Sequence, residues 1–232
     1  FRSSLGLNQV LDTPPGEPPP FVAYKLNGEP ILLTRGGPAR LVVPWAHGFK
    51  SIKWLQRLVV TNDWKTNDTY ADQNNDPDSY LKTAAYLDDL LPATVAAGKS
   101  VTVRGTAMVG LPGLTRVEYW LRPDAGKHAK LDEDDPSWKN AVWKPCVIEP
   151  PPAEWGVEMK GAFGFDENSK PREWPLRYAF CLWRATLEGL KPGGYEFRAR
   201  TVDKNGFAQP QPRPYPKSGR NAIQGKQILV TA

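Results

Sequence analysis

RGGPARLVVPWAHGFKSIKWLQRLVV, residues Arg35 to Val60, places two apolar runs on either side of a small polar turn. Leu41-Val42-Val43 and the stretch from Trp54-Leu55 to Leu58-Val59-Val60 read as strands. Between them the turn holds Lys50, Ser51 and Lys53, with Arg40 at its entry. Guanidinium, ammonium, hydroxyl and backbone N–H groups packed this closely form the donor set that converges on phosphate oxygens. A buried sheet segment with a solvated basic turn is the alternative that the pattern alone leaves open.

The order of residues narrows the choice. Ala23-Tyr-Lys-Leu-Asn27-Gly28-Glu29-Pro30 leads into Gly36-Gly-Pro-Ala-Arg40-Leu-Val-Val-Pro44, then Gly48-Phe-Lys-Ser51-Ile-Lys53-Trp-Leu55. Over about forty residues this resembles the sulfite oxidase family of molybdenum enzymes, and the remainder of the chain resembles that family's immunoglobulin-like dimerisation domain more weakly. The resemblance implies a molybdenum–molybdopterin cofactor whose terminal phosphate is held by Arg40 and by contacts at Ser51, Ile52 and Lys53. Arg35 stands where many members carry histidine, which keeps a positive donor with different geometry. Pro44-Trp45 departs from the usual Pro-Gly.

Length and composition fit this picture. With 232 residues there is room for two domains, each with a core. Twenty-four prolines disfavour long helices and suit a loop-rich, sheet-dominated protein. The net charge of +5 is spread among carboxylates with no basic stripe, so no nucleic-acid partner is expected. No run approaches the ~20 apolar residues of a membrane span. The opening FRSSLGLNQVLD lacks an initiator Met and a signal peptide, which suggests a fragment or processed product. Export to the periplasm is expected from the resemblance alone.

Along the chain, Thr13 to Pro20 reads as an extended proline-rich connector. Phe21–Leu26 alternates like a strand, Asn27-Gly28 signals a two-residue hairpin, and Ile31-Leu32-Leu33 is the expected return partner. A long polar loop follows Val60, and Tyr80–Leu91 reads as a short helix or an extended crossing segment ended by Pro92. The domain boundary is placed there, giving residues 1–92 and 93–232. The second part reads as short strands separated by turns. In the Tyr195–Val202 run, Tyr195, Phe197, Ala199 and Thr201 share one face and Glu196, Arg198 and Arg200 the other, as in a half-buried antiparallel strand. Leu190-Lys-Pro-Gly-Gly-Tyr195 resembles a tyrosine corner. The expected fold is mainly β. It is an immunoglobulin-like sandwich preceded by the C-terminal portion of a mixed α+β molybdopterin-binding domain.

Further residues are candidates for chemistry. Tyr70 stands about seventeen residues beyond Lys53, where the family places an active-site tyrosine, although Thr69 precedes it where aspartate is common. A loop-anchoring aromatic is the competing reading. Arg213, in Gln211-Pro-Arg-Pro-Tyr215, matches an arginine that the dimerisation domain adds to the substrate-anion site, or is an ordinary surface arginine. His47 and His128 are too few and too isolated for a metal triad, and His47, in the central turn, either reaches the cofactor or, the better reading, is a loop histidine with no role. Cys146 and Cys181 read as buried thiols, with one bridge possible, and neither takes the role of the family's molybdenum-ligating thiolate. Asp132–Asp135 reads as a solvated acidic run.

The reading is therefore part of a sulfite oxidase-like oxidoreductase lacking the metal-ligating cysteine. Its implied partners are a second copy bound through the C-terminal domain, the upstream half of the cofactor domain, and an electron acceptor such as cytochrome c. The alternative is a non-catalytic immunoglobulin-like binding or assembly module.

Overall fold

The structure, a computed structural model, describes residues 5, 13, 17–63, 79–88, 94–123, 135–153, 159–210, 218–219 and 221–232. The chain divides into two compact units, residues 1–81 with 213–220, and residues 82–212 with 221–232. The expected boundary at Pro92 falls inside the second unit.

In the first unit, β1 (Phe21–Ala23) pairs antiparallel with β4 (Arg40–Val42) in the register Phe21↔Val42, Val22↔Leu41, Ala23↔Arg40. A hairpin of β2 (Lys25–Leu26) and β3 (Glu29–Pro30) turns at Asn27 and Gly28, whose φ values of 52° and 82° meet the needs of a two-residue hairpin turn. The return partner is thus Glu29-Pro30. The expected Ile31-Leu32-Leu33 run only begins as its continuation, with Ile31 N–H donating to Tyr24 O at 3.2 Å, and Leu33–Arg35 coils into a 3-10 turn. A small core of Ile31, Val43, Trp45 and Ala46 is buried beneath.

The second expected strand, Trp54–Val60, is absent as a strand. Trp54 has φ 52°, which breaks extension, and Leu58, Val59 and Val60 are exposed with no ladder partner among the described residues. An apolar run joins a sheet only where a neighbouring backbone supplies hydrogen bonds, and apolarity alone cannot report that.

The second unit is a β-sandwich. One sheet has the order β10-β11-β7-β5, from β5 (Ala84–Leu87), β7 (Val101–Met108), β10 (Val147–Ile148) and β11 (Phe180–Leu187). The other is β6-β13-β12-β8-β9, adding β6 (Thr94–Ala96), β8 (Leu114–Pro123), β9 (Lys144–Pro145), β12 (Gly193–Asp203) and β13 (Gln224–Thr231). All pairings are antiparallel except β13 with β6. Period-two alternation places Val101, Val103 and Ala107 of β7 inward, directly opposite Leu187, Ala185 and Cys181 of β11. Trp183 faces Gly105 across this ladder and stacks on Phe197 of the other sheet, with ring centroids 6.5 Å apart. Gly105 is obligatory there. A Cβ would meet Tyr86 O at 2.0 Å and the indole Cζ2 at 2.4 Å.

Strand β12 departs from the half-buried expectation. Phe197, Ala199 and Thr201 are buried as expected, but Glu196 and Arg198 on the opposite face are buried too. Registration against β8 sets Glu196 opposite Arg122 and Arg200 opposite Glu118. Glu196 accepts from Arg122 and Arg198, and Glu118 from Arg116 and Arg200. Arg200 lies 4.0 Å from the Trp143 ring centroid. These pairs and rings cover a face that the pattern assigned to water. Tyr195 Oη donates to Lys191 O at 3.1 Å, the corner bond anticipated for that motif.

Gln209 is fully buried where the two sheets meet. Its Oε1 accepts from Ala85 N–H, Thr201 N–H and Thr201 Oγ1, while Nε2 donates to Asn221 O at 2.7 Å. Cys146 and Cys181 are free thiols, and burial pushes them up to about 12 and about 11. Of the acidic run only Asp135 is described, and its Oδ1 accepts from Ser137 N–H at 2.8 Å just ahead of the short helix α1 (Ser137–Asn140). Among the described residues no helix is long and apolar enough to cross a membrane.

Candidate functional site

The basic turn is built by laying one segment beside another. Trp54 N–H donates to Gly36 O at 2.9 Å, Leu55 N–H to Ala39 O at 2.8 Å and Leu41 N–H to Ile52 O at 2.9 Å. Ser51 completes the seam from its side chain, since its Oγ accepts from Val43 N–H at 3.0 Å. The chain reverses between these edges through the 3-10 turn Gly48–Lys50, closed by Lys50 N–H on His47 O and Ser51 N–H on Gly48 O.

Two glycines make the seam possible. Gly36, at φ 96°, lies under Lys53, and a Cβ there would fall 2.6 Å from Lys53 Cγ. Gly37 presses on Ile31, and a Cβ would fall 1.8 Å from its carbonyl oxygen. Neither position admits a side chain without moving backbone. The indole N–H of Trp54 donates to Leu33 O at 2.8 Å, tying the far side of the seam to the 3-10 turn at Arg35.

Of the expected site residues, Arg40, Ser51, Ile52 and Lys53 are brought onto this one seam. Arg40 Nη1 donates to Arg35 O at 3.1 Å, which fixes the guanidinium. Its Nε is buried and has no hydrogen-bond partner among the described residues. A buried guanidinium N–H without an acceptor is costly, and an anion is the acceptor that matches it best. Ser51 Oγ accepts from backbone and so keeps its own hydrogen to donate. Lys53 is exposed, with its ammonium 5.8 Å from the Trp54 ring centroid. The donor set therefore fits a phosphate, whose charge needs fixed cations and hydroxyls.

Arg35 meets the seam through its backbone. Its carbonyl, rather than its side chain, meets Arg40, and the side chain is exposed. Lys50, one of the cations of the expected anion-binding turn, is 1% exposed, against the alternative of a solvated turn. Its place at the end of a one-turn 3-10 helix, with the apolar Phe49 beside it, gave no signal of burial. Tyr70 and Arg213 lie outside the described residues. Among the described residues no three His, Cys, Asp or Glu side chains group to hold a metal.

Comparison with known proteins places the seam within a known family. The family described as "Oxidoreductase molybdopterin binding domain" matches residues 1–69, the stretch that contains the whole seam. Mitochondrial sulfite oxidase of Drosophila melanogaster is 36% identical over 222 residues, covering 91% of this chain. Nitrate reductase (NADPH) of Leptosphaeria maculans is 35% identical over 164 residues, covering 58%, and nitrate reductase (NADH) 1 of Oryza sativa subsp. japonica is 23% identical over 220 residues, covering 82%. The chain spans 35%, 18% and 20% of the lengths of these three relatives. A matching family profile and relatives along both units agree: the chain belongs to the sulfite oxidase family of molybdopterin oxidoreductases, of which it carries a part.

Proposed function

We propose that this chain holds the phosphate end of a molybdopterin cofactor in an enzyme that moves an oxygen atom to or from a small oxyanion such as sulfite. The observation that carries the reading is the buried Nε of Arg40, which has no hydrogen-bond partner among the described residues, on the seam that also carries Ser51. Arg40 would present Nε to a phosphate oxygen while Nη1 keeps its grip on the Arg35 carbonyl. Ser51 would donate its hydroxyl hydrogen, Ile52 would offer backbone, and Lys53 would neutralise the remaining charge from the exposed rim. When bound, the group supplies oxygen-atom transfer coupled to two electrons passing through molybdenum. Tyr70 would bond the substrate oxyanion and Arg213 would supply a second cation to it.

The same reading assigns the residues after 92 to an immunoglobulin-like domain that joins two copies of the protein, with the upstream half of the cofactor domain supplying the thiolate to the metal. An electron-acceptor protein such as cytochrome c would remove or deliver electrons. Export to the periplasm belongs to this reading also, although the Drosophila relative is named mitochondrial.

The test is metal and pterin content of the protein that carries this chain. Arg40→Ala is expected to lower pterin retention about tenfold or more, the loss of a charge-assisted bond. Unchanged retention would remove Arg40 from the phosphate site. A parent protein free of molybdenum and pterin would favour the binding-module alternative.

A further inference from the structure

His47 occupies a junction that the cofactor reading does not use. Its carbonyl accepts from Lys50 N–H at 3.0 Å and so starts the turn that ends at Ser51. Its own N–H donates to Ser79 O at 2.9 Å, and Leu81 N–H returns to Trp45 O at 2.8 Å. An Ala46↔Tyr80 bridge lies between them, and the Trp45 and Tyr80 rings pack with centroids 5.8 Å apart. Ser79 is fully buried with φ 50°, so this clasp is tight enough to hold a non-glycine residue in the left-handed region.

The imidazole meets a different piece of chain. Gly219, at φ 85°, lies so close that a Cβ would fall 1.8 Å from His47 Nε2 and 2.1 Å from Cδ2. Ser218 beside it is 1% exposed. Residues 213–220 belong to the first unit, although the sequence on both sides of them belongs to the second. Thus backbone and ring of one histidine receive the ends of two segments. One ends at Ser79 and carries Tyr70 in its sequence, while the other ends at Gly219 and carries Arg213.

We infer that His47 and Gly219 are positioning residues, a ring-on-glycine contact that ties the ends of the Tyr70 and Arg213 segments to the turn presenting Ser51 and Lys53. The inference rests on the proposed oxyanion chemistry for its consequence, though the contact itself does not. With Gly219 in place the backbone packs against the Nε2 edge of the imidazole. Any Cβ must push the ring or the loop away, and φ 85° adds a conformational cost of its own.

The experiment uses Gly219→Ala, His47→Ala and the double variant in the full protein carrying this chain. Three quantities are read: the rate of native-state tryptic cleavage after Lys217, pterin content, and kcat and KM for sulfite or nitrate, whichever the loaded enzyme turns over. Gly219→Ala is expected to speed cleavage after Lys217 about tenfold while other sites stay slow. Pterin content is expected to match the parent, and KM to rise about tenfold with kcat within about threefold. Adding Gly219→Ala to His47→Ala is expected to cost less than adding it to the parent, because the ring that the methyl would strike is gone. Parent-like cleavage in Gly219→Ala, or effects that simply add in the double variant, would overturn the inference. If even the parent holds no pterin, the cofactor reading fails separately, and the cleavage cycle still decides whether the contact holds the loop.

Discussion

Glu173 shows how a partly exposed carboxylate is tuned by its neighbours. Burial alone would raise its pKa, but hydrogen bonds and charge from Lys204 and Arg177 outweigh that and hold it below the usual glutamate range. A carboxylate depressed by folding stabilises the native state above its unfolded pKa, and that contribution drains away as pH falls through the lowered folded value. Glu173→Gln is therefore expected to cost no more than ~1 kcal/mol at neutral pH, since its partners are solvent-screened, and to flatten the acid limb of the stability curve. Urea midpoints measured from neutral pH down to about pH 3 check this, and an acid limb as steep as the parent's would refute it. Neither this triad nor the orphaned Nε of Arg40 was legible in the sequence. Glu173 and Arg177 are neighbours in sequence, but Lys204 comes from beyond β12, and whether an arginine N–H finds an acceptor depends on atoms that composition does not place.

At the scale of elements, the sandwich strands were largely legible because alternation is a local property that a two-sided layer must satisfy. Strands β7, β8, β11, β12 and β13 fall on or overlap the runs read as short strands, and the Asn27-Gly28 hairpin follows from the left-handed dihedrals those two residues tolerate. The errors share a cause. Trp54–Val60 has strand composition but gained no ladder, and Glu196 and Arg198 have surface composition but gained charged partners across β8. Register also explains the glycine in β7. Gly105→Ala is expected to destabilise the chain by about 1–3 kcal/mol, because its Cβ overlaps Tyr86 O and the Trp183 indole together. A chemical-denaturation midpoint equal to the parent's would show that β5 and Trp183 yield without cost.

For the whole molecule, the notable feature is that the chain leaves the sandwich unit after Pro212 and rejoins it at Asn221. The exit and return are stitched within the sandwich itself by Gln209 Nε2 on Asn221 O, so the sandwich does not need the intervening residues to close. Replacing residues 211–220 with a Gly-Ser linker of equal length is expected to leave a cooperative sandwich transition within about 1 kcal/mol, since loop closure depends weakly on what the loop contains. Gln209→Ala is expected to cost more, about 1–3 kcal/mol for each of the Ala85 and Thr201 N–H groups left buried without an acceptor. Equal losses in the two variants would contradict the stitched neck. What the amino-acid order determined by itself was the local vocabulary: alternating strands, the Asn-Gly turn, a cluster of cations and a hydroxyl beside an apolar run, and through their spacing the family. Tertiary structure alone decided which of those groups meet, because an orphaned guanidinium N–H, a paired Arg–Glu face and a histidine ring lying on Gly219 are each made by residues distant in the chain or by atoms whose burial only packing sets.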